Sequence, residues 1–408
     1  MKRVADHLSD ILGTVRPLSP LDVQIFDAHG CVLTEDVVAP WPLPQFDNSA
    51  MDGYAVRRED VVGASPDTPV ELPVVADIAA GDTRLSAIGP GIAARIMTGA
   101  PVPANADAVV PVEVTDGGTV RVRISVAPAP NAHIRRCAED VAEGDVVLTA
   151  GTYLGAQQIG LLAAVGRDRV KVRPKPRVVV ISTGSELVEP GMPLAPGQIT
   201  DSNSFALAAA AQEAGAVAYR IAPIADDPTT LLGLIEEQLV RADMVITTGG
   251  VSAGAYDVVK GVLSQLGTVQ FDKVAMQPGK PQGFGTLGDD ATPIFTLPGN
   301  PVSAFVSFEV FVRPAIRKML GSARLHRRSV KAVLQAGLDS PDGRRQFARA
   351  DLQLTSNGSY VATPLGAQQT HLNADLAKAN AFVVVPETVT HVPAGQIVDT
   401  VVLDQRKD

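Results

Sequence analysis

Short apolar runs, each followed by a glycine-bearing loop and then by residues at helical spacing, recur from residue 176 to about 320. Arg177–Ile181 reads as a strand buried on both faces, because its apolar run does not alternate with polar residues. A helix is expected from about Ser204 to Ala214 and a second strand over Val217–Ile224. Asp227-Pro228 then supplies an N-cap and a first-turn proline. Leu231, Leu234, Ile235, Gln238 and Leu239 follow at near-helical spacing. Asp243–Thr247 reads as a third strand that ends in a glycine loop, and Ile294–Leu297 as another. Asn300-Pro301 opens a long helix to about Leu320, which Pro314 should kink. Strand–helix alternation of this kind builds an open, mostly parallel sheet with helices on both faces.

The rest of the chain has a different texture. Residues 3–13 form a short amphipathic helical pattern, and Ser19-Pro20 has the form of a second helix start. From about 43 to 139, short Val, Ala and Ile runs are punctuated by Gly, Pro and Asp, as in a β-rich module. Residues 140–171 read as strand, helix (Ala156–Val165) and strand. Residues 327–408 are short Val-rich strands with turns at Asp342-Gly343 and Asn357-Gly358, as in a small β-barrel or sandwich. The fold class is therefore an α/β multidomain chain: an open, mostly parallel sheet with helices on both faces, plus a β-rich module and a C-terminal β domain.

Charge and cysteine usage exclude several functions. With 408 residues and 46% hydrophobic content the chain can build several cores. Its net charge of −9 argues against general nucleic-acid binding, so any anionic ligand needs local help from lysine, a metal ion or helix N-termini. Cys31 and Cys137 are the only cysteines and neither has zinc or CxxC spacing. The acidic residues inside MKRVADHLSDILG are unlike a signal peptide, and no apolar run reaches membrane-spanning length, so a cytoplasmic protein is expected.

Chemistry concentrates in the loops after the strands, where ligands bind to parallel sheets. TTGGVSAGAYDVVK, residues 247–260, follows a strand and precedes a helix. Gly249, Gly250 and Gly254 permit close backbone approach, the loop amides suit an anion, and Asp257 falls on the first turn of the helix. In ISTGSELVEPG, residues 181–191, Glu186 is a candidate ligand to metal or substrate; a capping glutamate three residues after Thr183 is the simpler alternative. In PIADDP, residues 223–228, one of Asp226 and Asp227 should cap the helix and leave the other as the candidate. Three carboxylates beside an anion site make sense around a hard divalent cation such as Mg²⁺. Lys273 and Lys280, in DKVAMQPGKP, could supply positive charge. LPGNPVSAF, residues 297–305, gives a rigid helix start at Pro298, Gly299, Asn300 and Pro301, with Asn300 as its expected cap. Two further loops, PQFDNSAMDGYAV with Asp47 and Asp52, and IMTGAPVPANADAVVPVE headed by Thr98 and Gly99, look exposed and functional; spacing alone assigns them no reaction.

FDNSAMDGYAV, MTGAPVPANADAVV, STGSELV, TTGGVSAGAYD, PGKPQGFG and LPGNPVSA occur in this order. Together they resemble the molybdopterin molybdenumtransferase (MoeA) family, which includes the C-terminal domain of gephyrin, over roughly residues 5 to 405. The resemblance implies four domains: residues 1–42 with 140–172, an inserted β-rich domain at 43–139, a molybdopterin-binding α/β domain at 173–325, and a C-terminal β domain at 326–408. It also implies a homodimer in which the SAMDG loop of one subunit faces the α/β site of the other. The implied reaction transfers molybdenum from molybdate to the dithiolene of adenylylated molybdopterin and releases AMP.

On that resemblance, Glu186, Asp257 and one of Asp226 and Asp227 hold Mg²⁺ or another divalent cation. The substrate is bound by Thr183, Gly184, Gly249, Gly250, Ser252 and Gly254, with Pro298, Gly299, Asn300, Pro301 and Ser303 at the neighbouring helix start. Lys273 and Lys280 attract molybdate, and Asp52, Thr98 and Gly99 complete the pocket from the partner subunit. His371 and Asn380 are expected near the substrate. The chain departs from the pattern at Gln277, where many members carry lysine.

Two alternatives stand beside this reading. Adenylyltransferases acting one step earlier carry related TTGG loops but lack the SAMDG and MTGAP loops. A molybdopterin-binding or scaffold protein without turnover should tolerate loss of the carboxylates, and Asp52, Glu186 and Asp257 are all present.

Overall fold

The computed structural model describes residues 1–82, 87–225, 227–249, 261, 263 and 268–403. These form two compact units. One comprises Met1–Thr34, Gly151–Gly155 and the chain from Arg169 onward; the other comprises Glu35–Ala150 and Ala156–Asp168.

The first unit is organised by a six-stranded sheet in the order Val217–Ile224, Arg177–Thr183, Met244–Thr248, Thr292–Leu297, Pro281–Leu287, Gln270–Lys273. The first four strands are parallel. Alternation along them sends side chains to two separate cores. Val178, Val180 and Ile246 join the core built with Leu207 and Ala211 of helix Asn203–Glu213, Ile11 of helix Val4–Thr14, and Val302 and Phe308 of the 301–319 helical run. Val179, Ile181 and Val245 join Leu231 and Ile235 of helix Pro228–Leu239. Both faces are thus covered, as the unbroken apolar runs require. Ile246 is fully buried, and its truncation to alanine costs about 2–5 kcal/mol.

The last two strands were not legible as such. Pro281–Leu287 pairs antiparallel with Thr292–Leu297, and Gln270–Lys273 pairs antiparallel with it in turn. A hairpin at 274–280 joins them, and so short a connection permits only the antiparallel arrangement. Ser19-Pro20 also departs from expectation. Leu21–Gln24 is a strand registered against Arg169–Val172, so long-range pairing overrides a local cap signal. The helix from Pro301 widens into a π turn over Phe308–Val312 immediately before Pro314. The ladder therefore changes where that proline can donate no N–H.

Residues 329–402 form a closed five-stranded barrel. Arg345–Leu354 pairs with Tyr360–Pro364, then Ser329–Leu334, Ile397–Val402 and Ala381–Val385 follow, and the last returns to Arg345–Leu354. The second unit carries a five-stranded sheet in the order Ala108–Pro111, Gly53–Val56, Ala93–Ile96, Val70–Ile78, Arg121–Ile124.

Candidate functional site

The parallel register aligns the strand ends at one rim. Thr183 lies opposite Ile224, Ser182 opposite Thr248, and Thr248 opposite Leu297. The STGSE, TTGG and LPGNP loops all leave from this rim. Gly249 has φ +101°, and a Cβ there would stand 2.4 Å from the carbonyl oxygen of Thr183. Only glycine lets those two backbones approach so closely. A Cβ at Gly299 would in turn lie 3.6 Å from the Cα of Gly249, so the three loops meet backbone to backbone.

Two residues that the sequence reading passed over hold this junction. Asn203 donates from Nδ2 to Thr248 Oγ1 at 3.0 Å and to the Gly299 carbonyl at 2.7 Å, and Thr248 Oγ1 donates to the Pro298 carbonyl at 3.0 Å. Behind the STGSE loop, the fully buried Asp201 carboxylate accepts from Ser182 Oγ at 2.9 Å and from the backbone and hydroxyl of Ser204. These partners are 3 to 96 residues apart in sequence, which is why periodicity did not reveal them.

Glu186 is exposed, and its carboxylate folds back over Gly184, where an added Cβ would meet Oε2 at 2.7 Å. It makes no side-chain hydrogen bond among the described residues. The capping alternative for Glu186 is therefore not realised, since no helix begins at this loop. Asp227 is the N-cap of helix Pro228–Leu239 and accepts from the Thr230 N–H at 2.7 Å; the Thr230 hydroxyl first, and this N–H second, hold its carboxyl below the usual range. The cap thus engages Asp227, leaving Asp226 as the candidate of the pair. Asp226, Gly250, Ser252, Gly254 and Asp257 lie outside the described residues. Among the described residues no cluster of three His, Cys, Asp or Glu side chains could hold a metal. A free carboxylate on a rim loop suits a hard divalent cation as one ligand, and Glu186 fits that role.

At the 297–305 turn, Pro298 is buried and Gly299 and Asn300 are exposed. Asn300 sits at the N-cap position with no side-chain cap bond, contrary to the expected cap, so its amide faces no helix donor. Pro301 starts the helix, and Ser303 is 4% exposed within the core.

Lys273 and Lys280 flank the hairpin at the same rim, since Lys273 pairs with Pro281 and Gly283 with Thr296. Val274 donates its N–H to the Lys280 carbonyl at 2.8 Å and closes the hairpin. Neither ammonium has an acidic partner among the described residues. A further cation, a guanidinium, appears in the barrel. Arg349 is 1% exposed, and its Nε and Nη2 are buried with no acceptor among the described residues. Its burial depresses its affinity for a proton. The loop beyond it reaches the rim helix, where Val302 donates its N–H to the Thr370 carbonyl at 3.2 Å. Asn380 is corrected to a structural residue: it is buried, and its amide pairs with both backbone groups of Leu352 at 2.6 and 2.9 Å. His371 is exposed.

In the second unit the two unassigned loops meet each other. Asp52 Oδ1 accepts from the Thr98 N–H at 2.7 Å and from its hydroxyl at 2.8 Å. The backbone bond from Thr98 is the main reason the Asp52 carboxyl sits below the usual range. Gly99, at φ +80°, donates its N–H to the Ser49 carbonyl at 2.8 Å. Asp47 is scaffolding: it accepts from the Cys137 N–H at 2.7 Å and pairs with Arg136.

The described residues also line a cavity of about 860 Å³ beside Arg177, Asp243 and Thr292. It lies at the starts of the parallel strands, the end opposite to that at which such sheets bind ligands.

A parallel sheet whose glycine loops meet at one rim, with lysines there that have no acidic partner among the described residues and a barrel reaching it, has the architecture of a small-molecule-binding protein. Comparison with known proteins narrows the class. Residues 2–166 match the MoeA N-terminal region (domain I and II), 179–318 a probable molybdopterin binding domain, and 331–403 the MoeA C-terminal region (domain IV). The chain is 49% identical over 401 residues to Molybdopterin molybdenumtransferase 2 of Mycobacterium tuberculosis, covering 97% of this chain and 98% of that one. It is 36% identical to Molybdopterin molybdenumtransferase of Bacillus subtilis, over 93% of this chain and 89% of that one. A crystal structure of the molybdopterin biosynthesis moea protein from Pyrococcus horikosii superposes with a TM-score of 0.78 at 33% identity, covering 98% and 99% of the two chains. The chain belongs to the MoeA family.

Proposed function

We propose that this protein is a molybdopterin molybdenumtransferase, which inserts molybdenum from molybdate into adenylylated molybdopterin and releases AMP. The observation that carries this reading is the rim itself, where Thr183, Gly249 and Gly299 meet backbone to backbone on the rim that also carries Lys273 and Lys280, two lysines without acidic partners among the described residues. Backbone amides at such a junction bind the phosphate groups of the pterin substrate. Lys273 and Lys280 attract molybdate and stabilise the charge that develops as the phosphoanhydride is cleaved. The two buried Arg349 nitrogens without acceptors are donors that an oxyanion satisfies.

Glu186, with Asp226 and Asp257, holds a divalent cation, which we take to be Mg²⁺; when bound it neutralises phosphate oxygens of the anhydride. The residues of this chain then orient the substrate. Asn203 fixes the Gly299 carbonyl, and Asp201 fixes Ser182, so the Thr183 and Gly299 loops hold their spacing as the substrate enters. Asp52 and Thr98 complete the pocket from the second subunit of a homodimer, in which the four-domain organisation of residues 1–42 with 140–172, 43–139, 173–325 and 326–408 operates. We assign the reaction to the cytoplasm. Both cysteines are free, with Cys137 exposed, which suits a reducing compartment, and no helix among the described residues is long and apolar enough to cross a membrane.

AMP release from adenylylated molybdopterin tests the reading. Purified protein releases AMP when both molybdate and Mg²⁺ are present, and Glu186→Ala abolishes release while leaving the circular dichroism spectrum unchanged. Release by Glu186→Ala at the wild-type rate contradicts the assignment of Glu186. ATP-dependent adenylylation of free molybdopterin would favour the earlier-step activity instead.

A further inference from the structure

The hairpin between Lys273 and Lys280 carries more positive charge than its two lysines. At its tip, Gln277 Oε1 accepts a hydrogen bond from Arg344 Nη1 at 3.2 Å. Arg344 comes from the barrel, immediately before the strand Arg345–Leu354. Its position is fixed by backbone pairing: Met276 and Gln277 register against Arg345 and Gln346, and the Arg345 N–H donates to the Ala275 carbonyl at 2.9 Å.

Two described carboxylates near the hairpin are engaged elsewhere. Asp272 pairs with Lys2 at 2.7 Å and lies 3.4 Å from His7 Nδ1. Glu387 pairs with Arg345 at 3.2 Å. That leaves Lys273, Lys280 and Arg344 without an acidic partner among the described residues. Arg344 is half-buried and rests on a neutral amide. One guanidinium edge is spent on Gln277, and a guanidinium keeps further N–H donors in a planar fork that matches the oxygens of a tetrahedral oxyanion. A cation gathered beside like charges is unfavourable unless an anion offsets it.

We infer that Arg344 is an oxyanion-binding residue, delivered by the barrel to the tip of the Lys273–Lys280 hairpin, where Gln277 offers no charge of its own. This rests on the function proposed above and names a further specificity residue for the same site. Molybdate and the phosphate of the pterin substrate share the required chemistry, so the test separates them.

Three variants serve: Arg344→Gln removes the charge, Arg344→Lys restores it in place, and Gln277→Lys combined with Arg344→Gln moves it across the hydrogen bond. KM is measured separately for molybdate and for adenylylated molybdopterin. Calorimetry measures binding of molybdate alone and of AMP alone, with Tm as the check on folding. Arg344→Gln weakens one of the two anions by about tenfold or more, the size expected for one charge-assisted hydrogen bond, with Tm unchanged. Both lysine-bearing variants recover most of the loss. A loss confined to molybdate identifies the metal oxyanion, and a loss confined to the pterin substrate and AMP identifies the phosphate. Unchanged affinity for both anions overturns the inference, as does a loss that neither lysine variant recovers. Absence of any molybdate-dependent AMP release by the wild-type protein overturns the underlying function instead, whatever Arg344 does.

Discussion

Asp52 and Thr98 are joined twice: one carboxylate oxygen accepts both the backbone N–H of Thr98, at 2.7 Å, and its hydroxyl, at 2.8 Å. Two loops 46 residues apart in sequence, each suspect on its own, thus present one polar constellation. Both residues are exposed, so the arrangement contributes little to stability and is available to a ligand. Asp52→Asn and Thr98→Val should each lower kcat/KM by about 10²-fold, with Tm nearly unchanged. The double variant should be little worse than either single one, because the pair acts as a unit. Additive losses in steady-state kinetics would count against a shared role.

Gly249 makes a different prediction. Its missing Cβ is what allows the Thr183 carbonyl to stand against it, and the obstruction to any larger residue is backbone, which cannot swing aside. Gly249→Ala should therefore cost roughly 1–3 kcal/mol in denaturant unfolding and remove nearly all activity. Gly184→Ala should behave otherwise. There the obstructing group is the Glu186 carboxylate, the end of a flexible side chain, so the loss of stability should be smaller than at Gly249 while metal-dependent turnover falls.

Arg349 offers a trade between stability and function. Its buried Nε and Nη2 find no acceptor among the described residues, a cost to the unliganded protein. Arg349→Met should leave the ligand-free Tm equal or raise it, while weakening the dependence of turnover on molybdate. A large drop in Tm would show that the guanidinium is structural.

His7 carries a pH dependence. It is 3% exposed, edge-on to the Phe311 ring at 4.9 Å, and burial, with Lys2 adding to it, pushes its pKa down from 6.5 to about 4. The folded state therefore holds His7 neutral, and the unfolded state takes up the proton first as pH falls. The contribution of His7 is fully present above pH 6.5 and is lost as pH falls from there toward 4. Between pH 7 and 5 this amounts to about 2 kcal/mol. Denaturant unfolding of wild type and His7→Gln at the two pH values checks it: the variant should lose less stability on acidification than the wild type does.

The rim was legible in the sequence because its signals are local. A continuous apolar run and a glycine loop lie next to one another at 177–191, 244–249 and 294–301, the last leading directly into a helix, and Asp227-Pro228 marks its helix as expected. What escaped depends on contacts distant in sequence. Asn203 reaches across 96 residues to Gly299, and Arg344 across 67 to Gln277. The strand Pro281–Leu287, in PQGFGTL, has neither an unbroken apolar run nor clean alternation, because glycines stand where Phe271 and Thr296 press on Gly283 and the Thr268–Val269 backbone presses on Gly285. Asn380 carried a motif-like appearance, yet its amide substitutes for a missing ladder partner at Leu352.

The central claim is that this chain turns over its substrates and does not merely hold them. Purified protein, molybdate, Mg²⁺ and adenylylated molybdopterin are incubated together, and the product is scored for its ability to activate an apo-molybdoenzyme. Active cofactor that appears only in the complete mixture, in step with the AMP released, is the predicted result. Tight binding of adenylylated molybdopterin with neither AMP nor active cofactor formed would contradict it, and would make this chain a binding protein on a transferase fold.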